Sequence, residues 1–315
     1  MDGDDPNMIL VTGGAGYIGS RLVLELLEND YQVRVFDASS LSKDMYQLVR
    51  GNSNFEFVKG DVGDIDAITQ SLKDIDVVVH LAALVPGPGT SYDAKTMLRV
   101  NFELSRQLVE LCKNKDKIEK FIFTSTCGNY GISDTTKYVT ESEPLNPTSP
   151  YAEAKVKAEE YFLNSAEESF HPTVLRLATV FGPSPKMSWE SMVNTFVLEA
   201  FNKRSIIIYG AQSWRPLVHI DDVAQAILHV LRAPLNLVFR QVFNVGSLNC
   251  QKIQIINVIK EAFPQAVIEI KSDAADPRSY KVSFDKISRA LGFQATKGLE
   301  EGIKEMKELL EGKYR

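Results

Sequence analysis

What this chain has little of narrows its function first. It carries three cysteines, Cys112, Cys127 and Cys250, far apart and without a CxxC pair. Neither a disulfide framework nor a thiolate zinc site is therefore expected. The four histidines include His80 and His219, which read as structural residues near the sheet edge, and no metal is expected. Positive charge is not in excess: 35 basic residues against 41 acidic ones leave a net charge of −6. A general nucleic-acid binder needs a basic field to displace counterions, so that class is set aside. No stretch approaches the roughly 18 apolar residues of a membrane helix. Met1 to Asn7 carry three aspartates and no apolar run, unlike a signal peptide. The expectation is a cytoplasmic protein with reduced thiols.

What is present is the composition of a globular protein. The chain has 315 residues, 44% hydrophobic and 24% charged, enough for one large domain and a smaller lobe. The first half alternates short apolar runs with helical patterns. Met8–Thr12, Gln32–Asp37, Phe55–Val58, Asp76–His80, Lys120–Thr124 and Thr173–Leu177 read as strands. Tyr17–Leu27, Ala94–Cys112 and Tyr151–Ser165 read as helices; in the second, Met97, Val100, Leu104, Leu108 and Leu111 recur at helical spacing. Such alternation predicts a doubly wound α/β fold around a parallel sheet. Beyond Phe181 the pattern loosens, and Pro183, Pro185 and Pro216 read as loop punctuation. Helices are expected at Asp221–Arg232, Gln254–Phe263 and Leu299–Leu310, and strands at Gln241–Val245 and Val267–Lys271. The expected division is a nucleotide-binding domain over 1–180, to which segments near 219–247 return, and a smaller, mostly helical mixed lobe over 181–315. The site is expected in the crevice outside the carboxyl ends of the strands.

Gly14-Ala15-Gly16-Tyr17-Ile18-Gly19 fits GxGxxG between a clear strand and a clear helix. Glycines let the backbone approach a pyrophosphate, and a helix N-terminus offers unpaired N–H groups to it. Asp37, at the end of the next strand, suits both ribose hydroxyls of NAD and repels a 2′-phosphate. No arginine directly follows it, so NAD is favoured over NADP.

Tyr151 and Lys155 stand four apart on one predicted helix, facing the same side, after a Ser149-Pro150 helix start. A free tyrosine has a pKa of about 10. An ammonium at ~4 Å in an effective dielectric of ~20 favours the phenolate by about 4 kcal/mol. That shift brings the phenol near 7, where a general base works best.

On these motifs the sequence resembles the extended short-chain dehydrogenases, in the branch of NAD-dependent nucleotide-sugar epimerases and dehydratases. The resemblance spans essentially the whole chain. It rests also on Gly60-Asp61-Val62, His80-Leu81-Ala82-Ala83, Asn101, Phe123-Thr124-Ser125-Thr126, Tyr130-Gly131 and the run from Arg176 to Pro183. Arg215-Pro216-Leu217-Val218-His219-Ile220-Asp221-Asp222-Val223-Ala224, Phe243-Asn244-Val245-Gly246 and Leu291-Gly292-Phe293 complete it. It implies that Gly13, Gly16, Tyr17, Ile18, Gly19, Asp37, Asp61, Val62, Ala82 and Ala83 hold NAD together with Tyr151 and Lys155. It implies Thr126, Tyr151 and Lys155 as catalytic residues, and Thr126, Thr179, Arg215 and Arg278 as contacts of a nucleotide-sugar substrate. Arg215 could instead pair with Asp221 or Asp222. A departure lies at Thr179, where the sugar-nucleotide enzymes carry Asn. Another lies at Cys127-Gly128, where dehydratases of this kind carry Asp and Glu after the catalytic Thr.

The resemblance therefore favours an epimerase acting at C4 and working as a homodimer through the helices Ala94–Cys112 and Tyr151–Ser165. A nucleotide-sugar dehydratase, a simple NAD-dependent dehydrogenase or reductase, and a non-catalytic NAD-binding sensor are the alternatives.

Overall fold

The computed structural model describes residues 8–87, 92–115, 117–167, 170–202, 205–271 and 278–313. The reading made of Met1 to Asn7 lies outside them. Among the described residues twelve strands form: β1 (Met8–Thr12), β2 (Gln32–Asp37), β3 (Phe55–Lys59), β4 (Val77–His80), β5 (Lys120–Thr126) and β6 (Pro172–Leu177). They continue with β7 (Thr179–Phe181), β8 (Ser205–Tyr209), β9 (Trp214–His219), β10 (Gln241–Val245), β11 (Leu248–Gln251) and β12 (Val267–Lys271).

Seven of them make one sheet in the order β10-β6-β5-β4-β1-β2-β3, parallel throughout. β1, β4 and β6 are buried almost throughout, as expected of strands covered on both faces. One face packs on the helices Tyr17–Glu28 and Ile220–Arg232 through Leu22, Leu26, Ile227 and Leu231. The other packs on Ile65–Ser71, Leu104–Lys113 and Pro150–Asn164 through Ile68, Leu108 and Phe162. The strand order reverses between β1 and β4, and a doubly wound sheet opens its ligand crevice at such a point.

The described chain beyond β6 is mixed, as expected of the smaller lobe, with the helices Met192–Phe201, Lys252–Ala262 and Leu299–Leu310. It adds a three-stranded sheet, β11-β9-β7, and a two-stranded one, β12-β8. Pro216, read as a loop signal, lies inside β9. It sits opposite Asn249 of β11, while pairing with β7 begins one residue later, at Leu217. Its missing N–H therefore falls where no β7 partner waits. The strand β10 returns from this part of the chain to the edge of the large sheet.

The predicted helix Ala94–Cys112 is interrupted. Ala94–Leu98 and Leu104–Lys113 are α-helical, but Arg99–Glu103 form a π-turn. The extra residue rotates the buried face. Met97 and Leu108 stay buried, while Asn101, Ser105, Val109 and Cys112 take the places expected of Val100, Leu104 and Leu111.

Candidate active site

β1 ends in a turn that only glycine fits. Gly13 has φ +74, and a Cβ there would lie 2.6 Å from the Ala82 nitrogen at the end of β4. A Cβ on Gly19 would lie 2.3 Å from the Gly13 carbonyl, so the helix Tyr17–Glu28 sits directly on the turn. The helix starts at Gly16 with neither a side-chain cap nor an acidic residue in its first turn, and Ile18 packs into the core below. Asp37 is fixed at the end of β2. Its Oδ2 accepts from the Ala15 N–H at 2.9 Å and its Oδ1 from Ser39 at 2.8 Å. Each carboxylate oxygen keeps a further acceptor position. Asp61 and Val62 follow β3, with Asp61 accepting from the Gly63 N–H at 2.7 Å. Ala82 and Ala83 lie in a loop held from below, because buried Asn101 bonds both the N–H (2.8 Å) and the carbonyl (2.9 Å) of Leu84. The small residues, the unblocked helix end and Asp37 fit a dinucleotide. Tyr17 takes a different part: its hydroxyl donates to Gly182 (2.7 Å) and accepts from Asn194 (3.0 Å), leaving its ring and backbone for any ligand.

The second wall comes from β5, β6 and the helix Pro150–Asn164. Ser149 caps that helix by accepting from the Ala152 N–H, and Pro150 occupies its first position. Tyr151 thus falls in the first turn and Lys155 one turn deeper. Lys155 is 2% exposed, with its ammonium 4.2 Å from the centre of the Phe123 ring. The titration differs from the expected one. Burial pushes the Tyr151 phenol up to about 12. Burial also brings Lys155 down to about 7, against the opposing pull of Glu159. Desolvation disfavours the charged form of both groups, and it outweighs the Coulomb attraction that predicted a phenol near 7.

Thr126 closes β5. Its Oγ1 accepts from the Gly128 N–H at 3.0 Å, which leaves its O–H to donate outward. Cys127 points inward, its thiol donating to the Arg176 carbonyl at 3.2 Å, and burial raises its pKa far above the ordinary range. Arg278 comes to the same place: its Nη1 lies 3.8 Å from a Cβ built on Gly128. Arg215, 3% exposed, donates to the Trp214 carbonyl at 2.8 Å and to the Arg278 carbonyl. It does not pair with Asp221 or Asp222. The former bonds Arg21 at 2.6 Å and the latter takes the backbone N–H groups of Thr296 and Lys297. Thr179 opens β7, half-buried opposite Leu217.

A buried charge cluster under this wall carried no role in the sequence reading. Glu159, 1% exposed, receives Arg176 at 2.8 and 3.0 Å, Asn129 at 2.7 Å and the Ser125 hydroxyl. Burial opposes the Arg176 charge, but Glu159 overcomes it and holds the pKa above its ordinary value. The signal was present: Glu159 is one turn beyond Lys155 on the buried face, and a buried carboxylate requires a partner. His80 is likewise enclosed, between the Thr12 hydroxyl at 2.6 Å and that of Ser105 at 2.9 Å. Among the described residues no group of three or more His, Cys, Asp or Glu could hold a metal, and no helix is long and apolar enough to cross a membrane.

A doubly wound sheet with a glycine cradle, an acid at the end of β2 and a Tyr–Lys pair on one helix defines the extended short-chain dehydrogenase class. The chain belongs to the NAD dependent epimerase/dehydratase family, whose pattern matches residues 9–246. A UDP-glucose 4-epimerase from Thermotoga maritima, solved with UDP-glucose, is 30% identical at a TM-score of 0.85, covering 98% of this chain and 100% of that one. A UDP-glucuronic acid 4-epimerase from Bacillus cereus, solved with UDP-glucuronic acid and NAD, is 28% identical at a TM-score of 0.85, covering 96% and 99%. The dTDP-D-glucose 4,6-dehydratase of Bos taurus is 29% identical, covering 94% of this chain and 86% of its own. Both reactions are therefore represented among the relatives.

Proposed function

We propose that this protein is a nucleotide-sugar epimerase that uses NAD and inverts C4 through a transient keto-sugar. The observation that carries the reading is the surround of Thr126. The Tyr151–Lys155 pair for reversible oxidation is present, whereas the positions after Thr126 offer no carboxylate. Elimination of water needs an acid and a base beside the sugar, because hydroxide leaves poorly without protonation. Cys127 turns its thiol into the core and Gly128 has no side chain. The dehydratase among the relatives is the second reading, and it lacks this equipment here.

On this reading Gly13, Gly16, Ile18, Gly19, Asp61, Val62, Ala82 and Ala83 form the bed of the dinucleotide, Asp37 takes its ribose hydroxyls, and Tyr17 braces the turn. NAD, when bound, supplies a hydride acceptor and a positively charged ring. Thr126 hydrogen-bonds the C4 hydroxyl and Tyr151 removes its proton. Lys155 favours the phenolate and binds ribose. Arg215, with Thr179 close by, faces the diphosphate. The keto-sugar turns in the site before Tyr151 returns the proton. The same reading has two copies joined through residues 94–113 and 150–164, where Leu104, Leu111 and Tyr161 stay half-buried.

The test is product analysis by NMR and mass spectrometry on UDP-, dTDP-, GDP- and CDP-sugars. The expected product is isomeric with its substrate, with no net NADH. Tyr151→Phe lowers turnover at least about 100-fold with NAD affinity nearly unchanged. Loss of one water overturns the reading in favour of a dehydratase, and accumulating NADH in favour of a dehydrogenase.

A further inference from the structure

β5 outruns its neighbour β4. It pairs with β4 as far as Phe123, opposite His80, and with β6 as far as Thr126, opposite Leu177. Thr124, Ser125 and Thr126 are therefore paired along one edge only, and the Thr126 hydroxyl ends an overhang. Ser125 and Arg176 are register partners across β5 and β6, so their side chains leave the sheet on the same face. Glu159 meets both there, on the helix that carries Tyr151 and Lys155. Its Oε1 accepts from the Ser125 hydroxyl and from Asn129 at 2.7 Å, and its Oε2 from Arg176 at 2.8 and 3.0 Å. Asn129 also donates to the Ser125 hydroxyl at 3.1 Å, and Arg176 reaches on to the Tyr130 hydroxyl at 2.9 Å. The residue before Thr126 and the turn after it are thus tied to one carboxylate.

We propose that Glu159 is a positioning residue: it fastens both flanks of Thr126 to the helix of Tyr151 and so sets the spacing of the two hydroxyls that meet the substrate. The inference rests on the reading that Thr126 and Tyr151 serve the same sugar hydroxyl. Stability alone gives no use for the ions, because an apolar pair of similar volume holds such a space at least as well. What an apolar pair lacks is a hold on Ser125 and Asn129. The sheet cannot supply that hold, since β4 stops short of these residues. With the hold gone, Thr126 is free to shift against Tyr151 while the cradle for the dinucleotide, on β1, β2 and β4, stays as it is. Substrate and NAD still bind, but the reacting hydroxyl is out of line, and such a loss falls on kcat.

The test uses NAD-loaded protein and whichever of the UDP-, dTDP-, GDP- and CDP-sugars the wild type turns over fastest. Glu159 also opposes the loss of charge at Lys155, so each variant is assayed at its own pH optimum, which separates position from charge. Glu159→Leu with Arg176→Met is expected to lose about 100-fold in kcat, the cost of a misplacement of ~1 Å, with KM and NAD affinity within about threefold of wild type. Glu159→Gln in the same Arg176→Met background keeps an acceptor for Ser125 and Asn129 and should recover at least about tenfold of that loss. Ser125→Ala, which disturbs no ion, should lower kcat about tenfold in the wild type and nothing further in the leucine pair, where the hold is already gone. A leucine pair as fast as wild type overturns the proposal. So does a folded glutamine pair no faster than the leucine pair, and so does Ser125→Ala with unchanged kcat or with a loss that adds to that of the leucine pair. Tyr151→Phe is measured beside them. Normal turnover there overturns the catalytic reading, whereas lost turnover there beside a fast leucine pair overturns this inference alone. A wild type that turns over none of the four sugars overturns both.

Discussion

The β1–β4 flank of the crevice is lined by Gly13, Gly19, Ala82 and Ala83, and its buried histidine, His80, is uncharged. Burial, helped by the charge of Lys155, lowers His80 from 6.5 to about 3. The β5–β6 flank holds Lys155, Glu159 and Arg176, all 5% exposed or less. One side makes its surface by omitting side chains, and the other by burying charge and pairing it. The difference matches the tasks proposed for them. A dinucleotide laid along a backbone needs close approach and N–H groups, which side chains obstruct. A proton moved to and from a hydroxyl needs charge at fixed positions, which only a bonded network holds in place. The two flanks should therefore fail in different ways.

The largest contrast comes from Gly13→Val. The left-handed backbone alone costs about 1–3 kcal/mol for a residue with a Cβ, and Ala82 must also move. Calorimetry is expected to detect no NAD binding; near-normal affinity would dissolve the contrast. Next comes Arg176→Met, which strands the Glu159 carboxylate in the interior and should cost about 3–5 kcal/mol in chemical denaturation. Pairing it with Glu159→Leu should recover most of that loss, since an apolar pair replaces the ions. A double variant no more stable than the single one would show that the cluster does more than neutralise itself. The smallest effect concerns His80. Its folded pKa lies below its unfolded one, so between pH 6.5 and 3 the unfolded chain binds a proton that the folded one does not. Its contribution to stability is complete above 6.5 and falls by about 1.4 kcal/mol per pH unit below it. Between pH 6.5 and 5 the wild type should lose about 2 kcal/mol more than His80→Gln; equal slopes would mean that the ring is charged where it lies.

The same division governs what could be read from the sequence. The glycine turn, β1, β2 and β10 were legible to the residue, because a close backbone approach and a doubly buried strand leave local marks. The Tyr151–Lys155 spacing was legible for the same reason. The charge cluster was not: Ser125 and Glu159 are 34 positions apart and Arg176 lies 17 beyond Glu159, so no window of sequence contains the network. The Tyr151 phenol was misjudged because a pair energy can be written from spacing, whereas desolvation depends on everything packed around it. β7, β8, β9 and β11 were missed since each finds its partners across the lobe, and β7 and β11 are also short. Pro216 concealed β9 because its effect depends on which neighbour its nitrogen faces.

The π-turn at Arg99–Glu103 bears on the length of the chain. A helix with such a turn holds one residue more than its spacing requires. Deleting one residue there would let residues 94–113 run as a single regular helix. It would also turn the part before the deletion by about 100° against the part after it, the angle of one residue in 3.6 per turn. Leu108 and Cys112 would keep their seats on the sheet while Asn101 left Leu84, and the loop carrying Ala82 and Ala83 would lose both its tethers. The surplus residue thus lets one rod serve two phases, its far half set by the core and its near half by the crevice.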